Sequence, residues 1–507
     1  MTLNVANYFA GSLSSSGEDE RPLLESMSQG ASTANLVEGG TKYPQFLATF
    51  IATIGGFSMG TMLAWSSPVQ ECIESGKYGF PTSVLEFSLI GAFLSIGAMV
   101  GALGCSSVCN YIGRKKTMIS LVCPAVVGSG LILWAQNPPM MMAGRVIVGI
   151  PVGAYSMVCP LYTNEISQIS IRGILGIFFQ LQVTIGILFV YILGLIKNPF
   201  LLTLIISAFP ILLAVLMCFM PETPYYLLMT GRENAARNSL QWLRGADYNI
   251  NSELTMMKEN IDKAKQERSS FRKAFMTRAA KRGLIIGIGV MFLQQFSGIN
   301  AVIFYTNSIF KSAGSTLDDS ISSIIVGFMS VVATAIATLF IERLGRKPLM
   351  FISCLVMALS SAVLGIYFYI QTVNHELAEK ISFIPLIIVC VFIIVFSLGL
   401  GPIPWVILAE IFPSNIKGIA SSISCLTNWM FAFIVILSFQ SVKVAIGEDW
   451  TFWIFSSIMI LGCIFVIFVI PETKGKSIDV VQKELGGADI STNHSQNNRT
   501  DSGRRKF

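Results

Sequence analysis

Twelve long apolar stretches restrict the fold of this sequence more than any other feature. A helix that crosses a bilayer needs about 20 predominantly apolar residues. Stretches of that kind lie at roughly 44–66, 84–106, 117–136, 139–161, 174–196, 199–220, 283–306, 320–341, 348–370, 382–408, 419–441 and 451–470. Hydrophobic residues make up 53% of the chain, and only 13% are charged. A chain this apolar cannot cover itself with a polar surface, so the sequence predicts an all-α membrane protein.

The basic residues lie beside these stretches and orient them. Lys and Arg cluster after the second stretch (114–116), after the eighth (343–347) and throughout 221–282. Loops rich in Lys and Arg stay in the cytoplasm, so we expect both termini to be cytoplasmic. Because topology accounts for the net charge of +6, we expect no nucleic-acid partner and a lipid bilayer as the surroundings.

An internal repeat divides the chain into two halves. NYIGRKK at 110–116 returns as ERLGRKP at 342–348, and PETP at 221–224 returns as PETK at 471–474. Between these motifs, Glu165 precedes Arg172 by the same spacing as Glu410 precedes Lys417. The repeat predicts two pseudo-symmetric six-helix bundles that can rock about a site at the membrane midplane. The predicted divisions are a disordered cytoplasmic tail (1–43), a first bundle (44–220), a cytoplasmic linker with amphipathic helices (221–282), a second bundle (283–470) and a cytoplasmic C-terminal tail (471–507).

An ordered set of motifs resembles the sugar porter family of the major facilitator superfamily. The motifs are GRKK (113–116), GRVIVG (144–149), YTNEIS (162–167), PETP (221–224), QQFSGINAV (294–302), ERLGRK (342–347), GPIPWVILAEIFP (401–413) and PETKG (471–475). The sequence is most similar to the branch that contains insect facilitated trehalose transporters and animal endosomal-type hexose facilitators. This resemblance implies a monomeric transporter of a small-molecule sugar, without a cofactor.

Amides and one tryptophan are the candidate sugar ligands. A sugar offers hydroxyls and an apolar face, which suit amide side chains and an aromatic platform. The resemblance implies sugar contacts at Gln180, Gln294, Gln295, Asn300, Trp405 and Asn428. The alternative is that these amides bind helices to each other. Three smaller residues, Ser330, Ser397 and Ala432, replace larger polar groups of the family pattern, which implies a roomier cavity compatible with trehalose.

Charged residues at the cytoplasmic ends of the stretches form a second candidate site. Opposite charges there can lock the cytoplasmic side while the outer side is open. The alternative is anchoring of the topology, but acidic residues contribute little to topology. The predicted gating residues are Arg114, Glu165, Arg172, Glu222, Arg346, Glu410, Lys417 and Glu472. We expect Arg145, within the fourth stretch, to pair with acidic or carbonyl groups.

Three functional hypotheses fit this set of residues. The first is a facilitative uniporter for a hexose or trehalose. The second is a proton-coupled symporter, which needs a titrating carboxylate within the membrane, but residues 43–65 contain no Asp or Glu. The third and most distant is a non-transporting sugar sensor. The sequence has no metal-binding or catalytic cluster and no phosphate-binding loop, so we expect neither an enzyme nor an ATP-driven pump.

A short motif in the N-terminal tail predicts where the protein resides. DERPLL places Asp19 ahead of Leu23 and Leu24 at the spacing of an acidic dileucine sorting signal. Such a signal would bind clathrin adaptors and direct some of the protein from the plasma membrane to endosomes or lysosomes. The alternative is a chance match, because short motifs arise often in polar tails.

Overall fold

The computed structural model describes residues 40–76, 78–267, 277–314, 318–412, 414–474, 476 and 478–486. These residues form helices and connecting turns, with no strand among them. Within the described residues, twelve spans are long and apolar enough to cross a membrane, which confirms the predicted fold class. Spans 1–12 run over Tyr43–Glu74, Val84–Ile112, Arg114–Leu133, Pro138–Ile166, Arg172–Ile196, Pro199–Cys218, Arg278–Ala313, Asp319–Ala337, Arg346–Val373, Ile384–Leu408, Ala420–Ile446 and Glu448–Phe468.

Several spans consist of two helices that meet at a break. In chain order the helices are α1 (Tyr43–Ala64), α2 (Ser66–Glu74), α3 (Val84–Ile112), α4 (Arg114–Ser120), α5 (Val122–Leu133), α6 (Pro138–Ile166), α7 (Arg172–Leu193), α8 (Pro199–Cys218), α9 (Pro224–Met229), α10 (Glu233–Arg244), α11 (Asn251–Glu267), α12 (Arg278–Phe296), α13 (Ile299–Ala313), α14 (Asp319–Leu344), α15 (Arg346–Val373), α16 (His375–Lys380), α17 (Ile384–Leu398), α18 (Ile403–Ile411), α19 (Ser414–Ile446), α20 (Glu448–Phe468) and α21 (Ile478–Glu484). A 3-10 turn at Gly194–Ile196 extends α7.

Span 1 is longer than the sequence predicted. The apolar stretch ends near residue 66, whereas the span continues through α2 to Glu74. The backbone stays helical at Trp65 (φ −52°, ψ −39°), but the hydrogen-bond ladder is interrupted there because Pro68 has no amide hydrogen to donate to the Ala64 carbonyl; we call this interruption the break at Trp65. The sequence missed α2 because serine, glutamine and glutamate make up about half of its residues, so the apolar pattern stops before it.

Glycines bring spans 2 and 4 together at backbone distance. A Cβ added to Gly97 would lie 1.9 Å from the Val146 carbonyl oxygen. One added to Gly153 would lie 2.0 Å from the Ala98 carbonyl oxygen. Small residues at helix contacts are the usual means of packing membrane helices, since lipid provides no hydrophobic driving force between them. The N-terminal half therefore contains a tightly packed helix pair.

The linker helices α9–α11 lie at one end of the spans, together with both described ends of the chain. The Thr41 amide donates to the Arg244 carbonyl at the end of α10 (2.7 Å). The Arg282 guanidinium, at the start of span 7, donates to the Leu485 carbonyl (3.3 Å). We call this end of the bundle the linker side and the opposite end the far side.

The two halves are joined by hydrogen bonds on the far side. The Tyr191 hydroxyl of span 5 lies 3.0 Å from the Thr306 hydroxyl of span 7. The backbone amide of Asn307, also in span 7, donates to the Ser67 hydroxyl of α2 (3.1 Å). Because each bond connects one half to the other, the far side is closed in this structure.

Candidate substrate site and the charged ends of the spans

Gln294 lies at the end of α12, where it binds three spans together. Its Nε2 donates to the carbonyl oxygens of Leu400 (2.9 Å) and Gly401 (2.8 Å), in the break between α17 and α18. Its Oε1 accepts from Nδ2 of Asn428 on span 11 (2.7 Å). Both amide protons and the carbonyl of Gln294 are therefore used within the protein.

Gln295 and Asn300 form a second amide pair that is only partly satisfied. Asn300 Nδ2 donates to Gln295 Oε1, and Asn300 and Gln295 are 9% and 6% exposed. Within the described part of the chain, Gln295 Nε2 and Asn300 Oδ1 have no protein partner. Neither atom is among the fully buried polar atoms that lack a partner, so both reach accessible space. This pair offers one donor group and one acceptor to a ligand.

A glycine lets the chain place this amide pair on both sides of a bend. Gly298 separates α12 from α13 and has a φ of +90°, a conformation that favours glycine. A second irregularity follows at Tyr305 (φ −126°, ψ 21°) within α13. Span 7 is thus a broken helix, and its break presents polar groups beside the boundary between the two halves. Broken membrane helices commonly bind substrates at such a boundary.

The two serines that depart from the family pattern lie together. The hydroxyls of Ser330 on span 8 and Ser397 on span 10 are 3.5 Å apart, a distance at which a hydrogen bond is weak. Ser397 comes three residues before Leu400, whose carbonyl holds Gln294. Spans 7, 8 and 10 therefore contribute polar groups around one break in span 10.

Two further predicted ligands, Gln180 and Trp405, lie on spans 5 and 10. Gln180 is half-buried on span 5, and Trp405 on α18 is 37% exposed. In the described residues no hydrogen bond connects either of them to the amides of span 7. Trp429, next to Asn428, is 5% exposed, in keeping with a packing role, and Ala432 is fully buried one turn further along span 11.

In the N-terminal half, three of the four predicted gating residues, Arg114, Glu165 and Glu222, form one compact cluster on the linker side. The Arg114 guanidinium donates to the Glu165 carboxylate through Nη2 (2.7 Å) and Nε (3.1 Å). The Thr223 hydroxyl donates to the other oxygen of Glu165 (2.5 Å). The Glu222 carboxylate accepts from the backbone amides of Arg114 (3.1 Å) and Lys115 (3.1 Å). Glu222 thus places a negative charge at the N-terminus of α4.

The C-terminal half repeats this cluster. Arg346 Nη2 lies 2.7 Å from Glu410, and the Thr473 hydroxyl donates to Glu410 (2.5 Å). Glu472 accepts from the backbone amides of Arg346 (3.1 Å) and Lys347 (3.0 Å). Burial raises the pKa of Glu472, but the backbone N–H groups that it accepts from outweigh burial and hold that pKa below its usual value.

Two residue types in these clusters were not among the predicted site residues. The threonines follow the glutamates in the PET motifs, so the repeated motif was the signal that could have revealed them. Gly113 and Gly345, which precede α4 and α15, have φ values of +99° and +92°. A Cβ on Gly113 would lie 2.3 Å from the Glu222 carboxylate. Glycine is required because the carboxylate approaches the backbone closely.

Both charged clusters lie within their own half. Arg172 is exposed and donates to the Ser167 carbonyl (3.3 Å). The side chain of Lys417 lies outside the described part of the chain, as do Asp19, Leu23 and Leu24. With the far side closed, the Arg–Glu pairs organise the ends of the spans in each half, and a contact between the halves through these charges stays a prediction.

The family of the chain follows from comparison with known proteins. The family described as "Sugar (and other) transporter" matches residues 45–485. The facilitated trehalose transporter Tret1 of Polypedilum vanderplanki is 37% identical over 447 residues, which are 88% of this chain and 88% of that protein. Tret1 of Aedes aegypti is 36% identical over 88% of this chain, which spans 55% of that longer relative.

Solved structures support the same fold. The xylose transporter XylE from E. coli, in a partially occluded inward-open conformation, has a TM-score of 0.72 at 24% identity. The match covers 85% of this chain and 99% of XylE. A second XylE structure, in an inward-open conformation, has a TM-score of 0.71 and also 24% identity. The likeness confirms the predicted two-bundle transporter fold, and with residues 45–485 matched, the chain belongs to the "Sugar (and other) transporter" family.

Proposed function

We propose that this protein is a facilitative sugar transporter that works by alternating access, with trehalose or a hexose as its substrate. One observation carries the proposal: Gln295 and Asn300 present a donor and an acceptor that have no partner within the described residues, at the break of span 7 beside the boundary between the halves. An uncharged pair of amides suits sugar hydroxyls and gives no reason to expect a charged substrate. The relatives named facilitated trehalose transporters support the choice of substrate.

The side that is closed in this structure determines which step of the transport cycle comes next. Tyr191, Thr306, Ser67 and Asn307 close the far side in this structure, so outward opening requires these bonds to break. We assign the linker side to the cytoplasm because the basic loops lie there, and we place the protein in the plasma membrane. The Arg114–Glu165 and Arg346–Glu410 pairs keep each half rigid at its cytoplasmic end while the halves tilt.

The positions of the acidic residues favour uniport, in which sugar moves without a coupled proton. Helix α1 contains no Asp or Glu, and Glu71 and Glu74 lie exposed at the far end of span 1. Glu86, in the first turn of span 2 at its outer end, forms a capping box with Ser83. A proton-coupled transporter needs a carboxylate that titrates inside the membrane as the site alternates. None of these three acids has that position.

Uptake of labelled trehalose and glucose into proteoliposomes or into cells without endogenous transport tests the proposal. We expect sugar to equilibrate without accumulating, and a protonophore to leave the initial rate nearly unchanged. Transport here means movement of an unaltered sugar, so the recovered label should be chemically intact. Accumulation above the outside concentration that collapses with a protonophore would favour the symporter, and binding without uptake would favour the sensor.

Substitution of the amide pair tests the site itself. Gln295→Leu removes one hydrogen-bond donor group without a large change in volume, and such a bond contributes on the order of 0.5–1.5 kcal/mol. Sugar affinity should fall from a few-fold to about tenfold, with a normal amount of protein in the membrane. Trp405→Ala should also slow transport if the indole provides the apolar platform. Unchanged affinity in a well-expressed Gln295→Leu protein would move the site elsewhere.

A further inference from the structure

Arg145 is a completely buried charged residue in the interior of the membrane domain. It lies about two turns from the start of span 4 and is 0% exposed. A guanidinium within the bilayer is costly and marks a functional position unless it is well compensated. The transport cycle described above uses neither its charge nor its hydrogen bonds.

Main-chain carbonyls, and no acid, hold Arg145 in place. Its Nη1 donates to the Met62 carbonyl of span 1 (3.0 Å), and its Nε donates to the Ile90 carbonyl of span 2 (3.2 Å). Within the described residues no carboxylate lies within ion-pair distance of it, and Nη2 has no partner. The sequence predicts acidic or carbonyl partners for Arg145, and the partners in the structure are carbonyls. Arg145 connects three spans of the N-terminal half.

The guanidinium also covers the residue at which span 1 breaks. Arg145 Cζ lies 5.0 Å from the centroid of the Trp65 ring, within the range of a cation–π interaction. The Trp65 Nε1 donates to the Thr203 hydroxyl of span 6 (2.8 Å), which fixes the orientation of the ring. Arg145 thus holds the end of α1 through Met62 and the break through Trp65.

The helix that follows this break forms part of the far-side closure. Helix α2 begins at Ser66, and Ser67 is 2% exposed where it accepts the Asn307 amide of span 7. One turn later, Glu71 lies 3.1 Å from Lys311 of span 7. Both residues of that ion pair are largely exposed, so it adds little. The position of α2 therefore depends on its buried residues, such as Val69 and Ile73, on the Ser67 bond, and on how the chain is held at Trp65.

We propose that Arg145 is a positioning residue that holds α2 against span 7 and so keeps the far side closed. The buried cation fixes the break in span 1 without touching the substrate. This inference rests on the proposed alternating-access function, because a far-side closure matters only if the site alternates. Its test measures the closure directly and does not depend on which sugar is carried.

Cysteine accessibility measures whether the far side is closed. Ser67→Cys, whose sulfur is a weaker acceptor for the Asn307 amide, is introduced into a Cys72→Ser protein, so every rate is compared with that of this parent; a membrane-impermeant thiol reagent is applied to the far side of intact cells. Lys380→Cys, exposed in the far-side helix α16, reports labelling that should be independent of the closure. With Arg145 present we expect slow labelling at Ser67→Cys. Arg145→Leu should speed it about tenfold or more, since two hydrogen bonds from a charged donor are lost, and should leave Lys380→Cys unchanged.

Graded variants keep the test decisive if Arg145→Leu does not fold. Arg145→Lys keeps the charge but loses the forked geometry, and Trp65→Phe keeps a ring but loses the bond to Thr203. Each should speed labelling of Ser67→Cys a few-fold, and Arg232→Leu in the exposed linker should have no effect. Equal labelling rates in Arg145→Lys, Trp65→Phe and the parent protein would overturn the proposal. A parent protein that transports no sugar would instead contradict the proposed function, whatever the labelling.

Discussion

The two halves of this protein have nearly the same charged ends but different interiors. Arg114 and Glu165 in the first half repeat as Arg346 and Glu410 in the second, with 2.7 Å between the paired atoms in each. In the interior, the first half carries Arg145 bound to carbonyls, whereas the second half carries a group of amides. The repeated parts organise helix ends, a task both halves share. The parts that differ are those to which we assign the far-side closure and sugar binding.

The repeat is not perfect even at the charged ends. The side chains of Arg114 and Glu165 are 3% and 10% exposed, whereas those of Arg346 and Glu410 are 16% and 28% exposed. The first pair is also covered by the linker, since Arg114 lies 5.3 Å from the ring centroid of Tyr226. Removal of one charge should therefore be more harmful in the first half, because less water is available to the charge left behind.

The largest effect should come from removing one acid from each pair. Loss of one partner of a buried ion pair costs about 3–5 kcal/mol, so Glu165→Ala should severely reduce thermal stability in detergent and the yield of folded protein. Glu410→Ala should cost about half as much, because its pair is partly solvated. Thermal unfolding monitored by size-exclusion chromatography provides the measurement. Equal losses would show that the difference in burial has no energetic consequence.

A second comparison separates helix binding from sugar binding within the amide group. Gln294→Leu leaves the Asn428 amide and two carbonyls without their partner, so we expect a loss of about 1–3 kcal/mol in stability. Gln295→Leu should cost less stability than Gln294→Leu, because only the Asn300 amide loses a protein partner, and should lose affinity instead, because its Nε2 has no partner within the described residues. Thermal unfolding and direct sugar binding, measured on both variants, distinguish these outcomes. The same phenotype in both would mean that the two glutamines act as one unit.

A smaller effect should follow from alanine at the two glycines before α4 and α15. An alanine at positive φ costs about 1–2 kcal/mol, and its Cβ would also approach a carboxylate. That approach is 2.3 Å for Gly113 and 2.9 Å for Gly345, so Gly113→Ala should be the more destabilising. Unfolding temperatures of the two variants check this order, and the reverse order would indicate that Glu222 moves away easily.

The smallest effect on the folded protein should come from the N-terminal tail, which has no counterpart in the second half. Replacement of Leu23 and Leu24 by alanine should raise the fraction at the cell surface, if clathrin adaptors read the motif with Asp19. Stability and transport per surface molecule should not change. Surface biotinylation measures the fraction, with Leu3→Ala in the same tail as a control. An unchanged surface fraction would leave the motif a chance match.

The spans and the repeat could be predicted because each depends on residues near one another in the sequence. The length of an apolar stretch decides whether a helix can cross a bilayer, which is why twelve spans were predicted and twelve are found. The PET and GRK motifs likewise identified the segments after spans 6 and 12 that contain Glu222 and Glu472. Helix α2 escaped prediction, since a polar segment at the end of a span has no such local signal.

The roles of individual polar residues were decided by the tertiary structure. Gln294 and Gln295 are neighbours of the same residue type, and the sequence left both as sugar ligands or as contacts between helices. Folding brings the carbonyl of Leu400 and the amide of Asn428 to Gln294 and leaves the Gln295 donor without a partner in the described part of the chain. Arg145 likewise acquires its partners from Met62 and Ile90. The hydrogen-bonding capacity of each side chain is set by the sequence, but its use depends on carbonyls and amides that arrive from distant spans.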